Sequence, residues 1–269
     1  GRPMTAAGKD AASPQRPIIE HADVRRMLLA QKSYVEGGLA LELYCARLVD
    51  ELHTGDAKTE AQALLEVLIP IAKSWPSEWC LEANSLAIQV LGGYGYTRDF
   101  PVEQYWRDQR LNMIHEGTHG IQALDLLGRK VLGNNGATLK KFGKKIAAFI
   151  EEEGTNEAMQ EFVNPLADLG DKVNKLTQEI GMKAFGNADE VGAAAVDYLR
   201  VVGHMCFAYF FAQAAKIALA KKDSGDPFYT AKLATARFYF AKLLPETATL
   251  IRTCRAGLAP LMEMDEALF

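Results

Sequence analysis

The chain is poor in the features that mark several function classes. Its four cysteines, Cys45, Cys80, Cys206 and Cys254, are scattered, with no CxxC pair and no metal-ligand spacing. This argues against a disulfide framework or a zinc site and fits reduced, mostly buried thiols in a reducing compartment. A cytoplasmic location and no metal are therefore expected. There is no long basic run and the formal charge is −4, so nothing favours nucleic acid as a partner. No run of alternating β-branched residues occurs, so essentially no sheet is expected. No internal repeat of fixed period is present. The opening "GRPMTAAGKDAASPQRP" lacks the apolar core and cleavage signature of a signal peptide. It reads as a loop over residues 1–17 and, without an initiator methionine, as the interior of a longer protein.

Long apolar runs are also rare, with one exception. Residues 201–220, "VVGHMCFAYFFAQAAKIALA", have the length of a membrane span. His204, Gln213 and Lys216 are spread along it, and polar groups are costly in lipid. The segment reads as the buried central helix of a bundle, with His204 a satisfied core histidine and no membrane contact.

What the chain has in abundance is helical periodicity, with 49% hydrophobic and 24% charged residues. Val24, Met27, Leu28, Tyr34 and Val35 recur at helical spacing after Pro17–Ile19. "TGDAK" ends that helix, with Asp56 as cap of a next one over about 57–74, which Pro70 should kink or shorten. "WPSEW" opens a further helix that the paired glycines of "QVLGGYGY" stop. Asp99 caps a short helix with Pro101 in its first turn, and Thr118 caps another. "GNNGAT" at 133–138 is the strongest turn cluster and is taken as the one internal boundary. Beyond it run two apolar stripes, Leu139, Phe142, Ile146, Ile150 and Leu166, Leu169, Val173, Leu176, Ile180. The expected fold is all-α: an antiparallel helical bundle over 18–133, then a second helical bundle as a C-terminal extension over 134–269.

Residues 89–122 carry the chemistry. Gly92, Gly93 and Gly95 either stop a helix or let a ligand approach the backbone. Glu103, Arg107, Asp108 and Arg110 either form a solvated charged face or serve a site. Glu116, between an apolar run and Gly117, is either a helix-end carboxylate or a base in a pocket. His115 and His119 flank it without the spacing of a zinc protease.

Taken together this stretch resembles the C-terminal helical domain of acyl-CoA dehydrogenases, whose signature "QxxGGxGY…PVE…RD…IxEGT…Q" is present in order, and "PIIEHADVRRML" resembles that domain's first helix. The likeness extends over about residues 18–132. It implies that Glu116 removes the α-proton of an acyl-CoA thioester while the β-hydride passes to FAD. It implies further that Gln89, Leu91, Gly92 and Gly93 reach the FAD of a neighbouring subunit, with Thr118 near its ADP moiety. Gly120 departs from members with glutamine there, and Arg107–Asp108 matches a structural ion pair. A carboxylate enclosed with the acyl chain and flavin would lose water and gain basicity, and Gly117 would let it swing over the substrate.

In that family a flavin-binding β-domain and an N-terminal helical domain come earlier, so the chain would carry half a site. Electron-transfer flavoprotein is the implied electron acceptor, and a homo-oligomer, dimer or tetramer, the implied assembly. The extension resembles the longer bacterial members, such as those similar to 3-methylmercaptopropionyl-CoA dehydrogenase. Two other readings stand beside this one: an acyl-CoA oxidase of the same family, and a non-catalytic helical module for oligomerisation or binding. An intact Glu116 speaks against the last.

Overall fold

The computed structural model describes residues 1–3 and 6–269. The fold is all-α, with no strand among the described residues. The first half holds α1 (Ala22–Thr54), α2 (Lys58–Leu91), α3 (Val102–Leu111) and α4 (His119–Leu124). A π-helical segment, Asp125–Val131, continues α4. The second half holds α5 (Ala137–Glu153), α6 (Gln160–Gly186), α7 (Asp189–Ala220), α8 (Pro227–Phe238), α9 (Glu246–Ala256) and α10 (Ala259–Met262).

The turn at 133–138 is built as its composition suggests. Asn135 and Gly136 both adopt left-handed backbone, φ 54° and 75°, the conformation that asparagine and glycine tolerate best. Beyond it the apolar stripes face inward: Leu139, Phe142 and Ile146 on α5 and Leu166, Leu169, Val173, Leu176 and Ile180 on α6 are all buried.

Three local expectations are corrected. α2 runs unbroken from Lys58 to Leu91 with Pro70 and Pro76 inside it, where two helices were expected. Each proline deletes one helical hydrogen bond at a cost of about 3 kcal/mol, but the helix is pinned on both sides by its neighbours. Leu64, Leu68, Ile71 and Trp75 are wholly buried, and an aromatic of that size contributes about 4–6 kcal/mol by burial alone. Asp56 is not the cap of α2. Ala57 occupies that position, and its amide donates to Glu51 Oε1 at 3.0 Å across the turn. Asp99 likewise stands outside α3, accepting from Thr97 Oγ1, while Pro101 is the capping residue.

A single apolar core runs through both halves. Its axis is α7, which carries the 201–220 run. This helix is long and apolar enough to cross a membrane, yet 78% of its most apolar window is buried inside the fold. α1, α2 and α7 converge on Trp75. Its ring lies 3.9 Å from that of Phe207, centroid to centroid, and its Nε1 donates to Arg200 O at 3.3 Å. Glycines make the approach possible. A Cβ on Gly203 would stand 1.8 Å from Trp75 Cδ1, and one on Gly37 would stand 2.3 Å from Phe207 Cδ2. His204, fully buried beside them, meets Tyr239 OH at Nδ1 (2.9 Å) and Glu246 Oε2 at Nε2 (3.3 Å). The thiols of Cys45, Cys206 and Cys254 are buried and unbridged; burial pushes those of Cys45 and Cys254 up to about 12, so they stay protonated and inert.

Two substitutions on α7 should separate in sign. Gly203→Ala forces a methyl group into Trp75 and is expected to lower unfolding stability by about 1–3 kcal/mol. Gly192→Ala faces open space and should raise it by about 0.5–1 kcal/mol through helix propensity. Urea titration of both variants checks the pair, and a neutral Gly203→Ala would show that the α2–α7 seam is loosely packed.

Candidate active site

The segment from α3 to α4 is folded around Glu116. α3 ends at Leu111, and His115 Nδ1 donates to its carbonyl at 3.0 Å. The chain then reverses through two residues with positive φ, Glu116 at 55° and Gly117 at 97°. Glycine pays little for that region; a residue with a Cβ pays about 1–2 kcal/mol. Glu116 is therefore held in a conformation it would not choose. Both sequence neighbours of the strain are tied down. Lys73, from the middle of α2, donates its ammonium to Gly117 O at 2.6 Å and to Asn112 O at 2.9 Å. Gln122 Nε2 donates to Glu116 O at 3.2 Å. The foot of α3 is anchored to α2 as well, since Gln109 Nε2 donates to Ser77 O at 3.1 Å.

Glu116 itself is exposed and lines an open cleft of about 380 Å³ with Lys73, Pro76, Cys80, Gln109 and His115 among its walls. This chain does not supply the enclosing apolar pocket expected around the carboxylate. Its walls are α2 on one side and the end of α3 with the turn after it on the other, and the rest is open. His119, three residues on, turns the opposite way, into the seam between α2 and α7. Its Nε2 comes within 3.2 Å of Glu78 Oε2. The contact is close but not aligned as a hydrogen bond, and both ring nitrogens are buried without a partner. Burial is the main cause that holds its pKa below the usual histidine range; Glu78 opposes it, and Arg200 and Lys73 add to it.

The other candidate residues lie elsewhere on α2. Gln89 is exposed near its C-terminal end, Leu91 is half-buried, and Gly92 and Gly93 are exposed. Lys73 and Gln89 are separated by about 24 Å along the axis, at about 1.5 Å per residue. Within one chain the Gln89–Gly93 segment and Glu116 are not brought together. Thr118 stands beside Glu116 as the N-cap of α4, exposed and without a side-chain capping bond. Gly120 is in α4 with open space where a Cβ would stand.

The three glycines of the Gln89 stretch have different reasons. Gly92 caps α2 at φ 62°, ψ −140°, a region that only glycine enters readily. A Cβ on Gly95 would collide with Ile88 O at 2.5 Å. Gly93 has no positive φ and nothing within 4 Å of a built Cβ, so nothing inside the chain demands glycine there. Around it Tyr94 and Tyr96 stand exposed. The expected Arg107–Asp108 pair is not formed: Arg107 Nε donates to Glu103 Oε2 at 2.9 Å. Adjacent helical positions point apart, whereas i and i+4 share a face.

Comparison with known proteins bears on this arrangement. Residues 4–132 match the family model described as acyl-CoA dehydrogenase, C-terminal domain, and residues 142–265 match the one described as acetyl-CoA dehydrogenase C-terminal like. The chain belongs to the acyl-CoA dehydrogenase family. It is 35% identical to a 3-methylmercaptopropionyl-CoA dehydrogenase of Ruegeria pomeroyi over 91% of this chain and 42% of that protein. It is 32% identical to the broad-specificity linear acyl-CoA dehydrogenase FadE5 of Mycobacterium tuberculosis over 97% of this chain and 45% of that protein. The chain thus spans less than half the length of these relatives. The fold is shared with an acyl-CoA dehydrogenase from Bacillus anthracis solved in complex with FAD, at 17% identity, TM-score 0.70, over 97% of this chain and 46% of that one. It is shared also with Caenorhabditis elegans ACDH-11 solved with C11-CoA, at 18% identity, TM-score 0.61, over 78% of this chain and 34% of that one.

Lys73 was not singled out from the sequence, although a lone cation inside "LLEVLIPIAKSW" was the available signal. Its removal should loosen the turn. Lys73→Met is expected to raise amide hydrogen exchange over residues 113–119 by about tenfold or more, since a bond to a charged donor contributes about 1.5–3 kcal/mol. Unchanged exchange would show that the strained turn is held by α3 and α4 alone.

Proposed function

We propose that this chain is the C-terminal part of an FAD-dependent acyl-CoA dehydrogenase in which Glu116 takes the α-proton of an acyl-CoA thioester. The observation that carries the reading is the backbone of Glu116. A carboxylate-bearing residue occupies a left-handed position at φ 55° that glycine would occupy at lower cost, and a lysine fastens the following carbonyl. The turn presents the carboxylate to an open cleft. A general base needs this placement: an acceptor fixed in position, reachable by the substrate, on a rigid support.

FAD, when bound, supplies the acceptor for the hydrogen and electron pair that leave the β-carbon. Gln89, Leu91, Gly92, Gly93 and Thr118 are the residues of this chain proposed to hold it. The fit rests on Gly93, whose backbone is open on the side where a side chain would stand, so that a flat group can approach it. The distance between that segment and Glu116 supports contact with the cofactor of a neighbouring subunit, so a homo-oligomer is part of the proposal. Its surface is consistent with this: Val35, Leu39 and Leu43 line an exposed apolar stripe on α1, and Tyr105, Leu111 and Ile114 are exposed near the cleft. Such faces mark regions covered by other protein. The remaining walls of the cleft, which would exclude water around Glu116, are assigned to the parts that the longer relatives have and this chain does not span.

Two outcomes test the reading. In the enzyme comprising this chain, Glu116→Gln should retain FAD and acyl-CoA binding but lose turnover by about 10²–10⁴-fold, the usual contribution of a positioned base. A loss below about threefold would place the base elsewhere. The 269-residue chain by itself should be folded and colourless after gel filtration, because its cofactor contacts cover only an edge of the flavin nucleotide. Stoichiometric absorbance in the flavin range would put the principal cofactor site within this chain.

A further inference from the structure

The second helical half has no catalytic group of its own, yet it reaches the turn that carries Glu116. Arg200 on α7 straddles both oxygens of Glu78 on α2, with Nε donating to Oε2 at 3.1 Å and Nη2 to Oε1. Its third nitrogen, Nη1, donates to Asp197 Oδ1 at 3.0 Å. All three side chains are mostly shielded from solvent. His119, the first residue of α4, rests against the same Oε2 of Glu78 at 3.2 Å. The backbone of Arg200 is fixed in turn by Trp75, whose indole donates to its carbonyl. α4 therefore begins against an ion pair that joins the two halves of the fold.

We infer that Arg200 is a positioning residue for the proposed base: through Glu78 and His119 it fixes the start of α4, and with it the orientation of Glu116. The inference rests on the reading of Glu116 given above, but its physical content is independent of turnover. The Glu116 turn is tied on one side by Lys73, through the carbonyls of Asn112 and Gly117, and within itself by Gln122 Nε2 to Glu116 O. On the other side the Glu78 carboxylate, fixed by Arg200, stands against the His119 ring in close contact rather than by a hydrogen bond. Without that stop the first turn of α4 can shift and the carboxylate loses its bearing. A misplacement of about 1 Å at a reacting group can cost up to about 100-fold in rate.

The electrostatics give the arrangement a signature. The charged groups that face His119 are Lys73 and Glu78 from α2 and Arg200 from α7; Asp197 pairs with Arg200, and Asp125 and Arg129, on the π-segment that continues α4, pair with each other. A neutral His119 sits beside a carboxylate whose charge Arg200 compensates. Without Arg200 that carboxylate is opposed only by burial and Lys73, so His119 binds a proton at higher pH. Without the Glu78 charge, burial and the two cations act alone, so His119 binds its proton at lower pH. These shifts report that the three side chains stay in contact; exchange over residues 113–119 and the split between kcat and KM report whether that contact positions Glu116.

The test uses Arg200→Gln, Arg200→Lys and Glu78→Gln. Nuclear magnetic resonance titration of the histidine rings in this chain should move the His119 midpoint up in Arg200→Gln, less in Arg200→Lys, and down in Glu78→Gln. Hydrogen exchange over residues 113–119 should rise in Arg200→Gln and recover in part in Arg200→Lys. In the enzyme, kcat in Arg200→Gln should fall about 10- to 100-fold with KM changed less than about twofold. If Arg200→Gln does not fold, Arg200→Lys and Glu78→Gln still decide the matter by exchange over residues 113–119, which should rise in both. Unmoved His119 midpoints, or unchanged exchange over 113–119 with only a lower melting temperature, would overturn the inference. Absent turnover in the wild-type enzyme would instead overturn the proposed function and leave the two solution readouts to judge the tether.

Discussion

The packing of Trp75 against the backbone of α7 is the constraint on which the rest of the molecule depends. It is a point where a helix from the first half meets the central helix of the second half in close contact, and glycine at 203 is what lets them do so. The same residue sits between Pro70 and Pro76, in the stretch of α2 that should be least able to stay helical. Burial of the indole and of the leucines upstream outweighs the missing hydrogen bonds. Because α2 stays continuous there, Lys73, Ser77 and Glu78 lie along one support. Those three residues are the ones that touch the carbonyls, the α3 glutamine and the histidine around Glu116. Long-range packing thus sets the geometry of a turn whose local sequence would relax to something else.

That turn shows how charge is used at a modest scale. The ammonium of Lys73 is shared between two carbonyls and has no carboxylate partner in the cleft, so its charge is not neutralised beside Glu116. On the far side of α2 the charges are arranged in the opposite manner: Arg200 is matched by Glu78 and Asp197. A half-buried ion pair of this kind is weak evidence for stability, since desolvation offsets much of the attraction. Its value lies in direction, because a forked guanidinium fixes a carboxylate in plane and register where an ammonium would not.

Much of the fold was legible in the sequence because the second half is patterned plainly. Leu166, Leu169, Val173, Leu176 and Ile180 fall on one face of α6 and are buried there. Asn135 and Gly136 take the left-handed turn that their types favour. The failures came where tertiary packing overrides a local rule. Proline argues for a break at residues 70–76, and only the contacts of Trp75 with α7 reveal why there is none. Asp56 is a better cap by type than Ala57, but Glu51 reaches across the turn to satisfy the amide. At the candidate site the motif located Glu116 without its strain, and it drew attention to Arg107 with Asp108 where the pair is with Glu103. The network of Glu78, His119 and Arg200 could not have been read from spacing, because its members are brought together across 122 positions of chain.

The glycines of "QVLGGYGY" show how a structure divides a motif into causes. Gly92 is required by its own dihedral angles and Gly95 by the carbonyl of Ile88. Either would be glycine in a protein with no cofactor at all, so neither speaks for one. Gly93 has neither excuse. In open space at a helix end, glycine is the residue that loses most entropy on folding, and a side chain there would meet nothing in this chain. The bare backbone of Gly93 is the part of this segment that the proposed function assigns to a group from outside the chain. The two exposed tyrosines beside it, Tyr94 and Tyr96, fit a surface that is covered in the assembled protein. The same logic applies to Glu116, where glycine is the cheaper residue and glutamate is present. Gly93, at the end of α2, and Glu116, in the turn beside its middle, thus depart in opposite directions from what the fold alone would select, and the proposed half-site would use both: a bare backbone to receive a flat group, and a strained carboxylate to receive a proton.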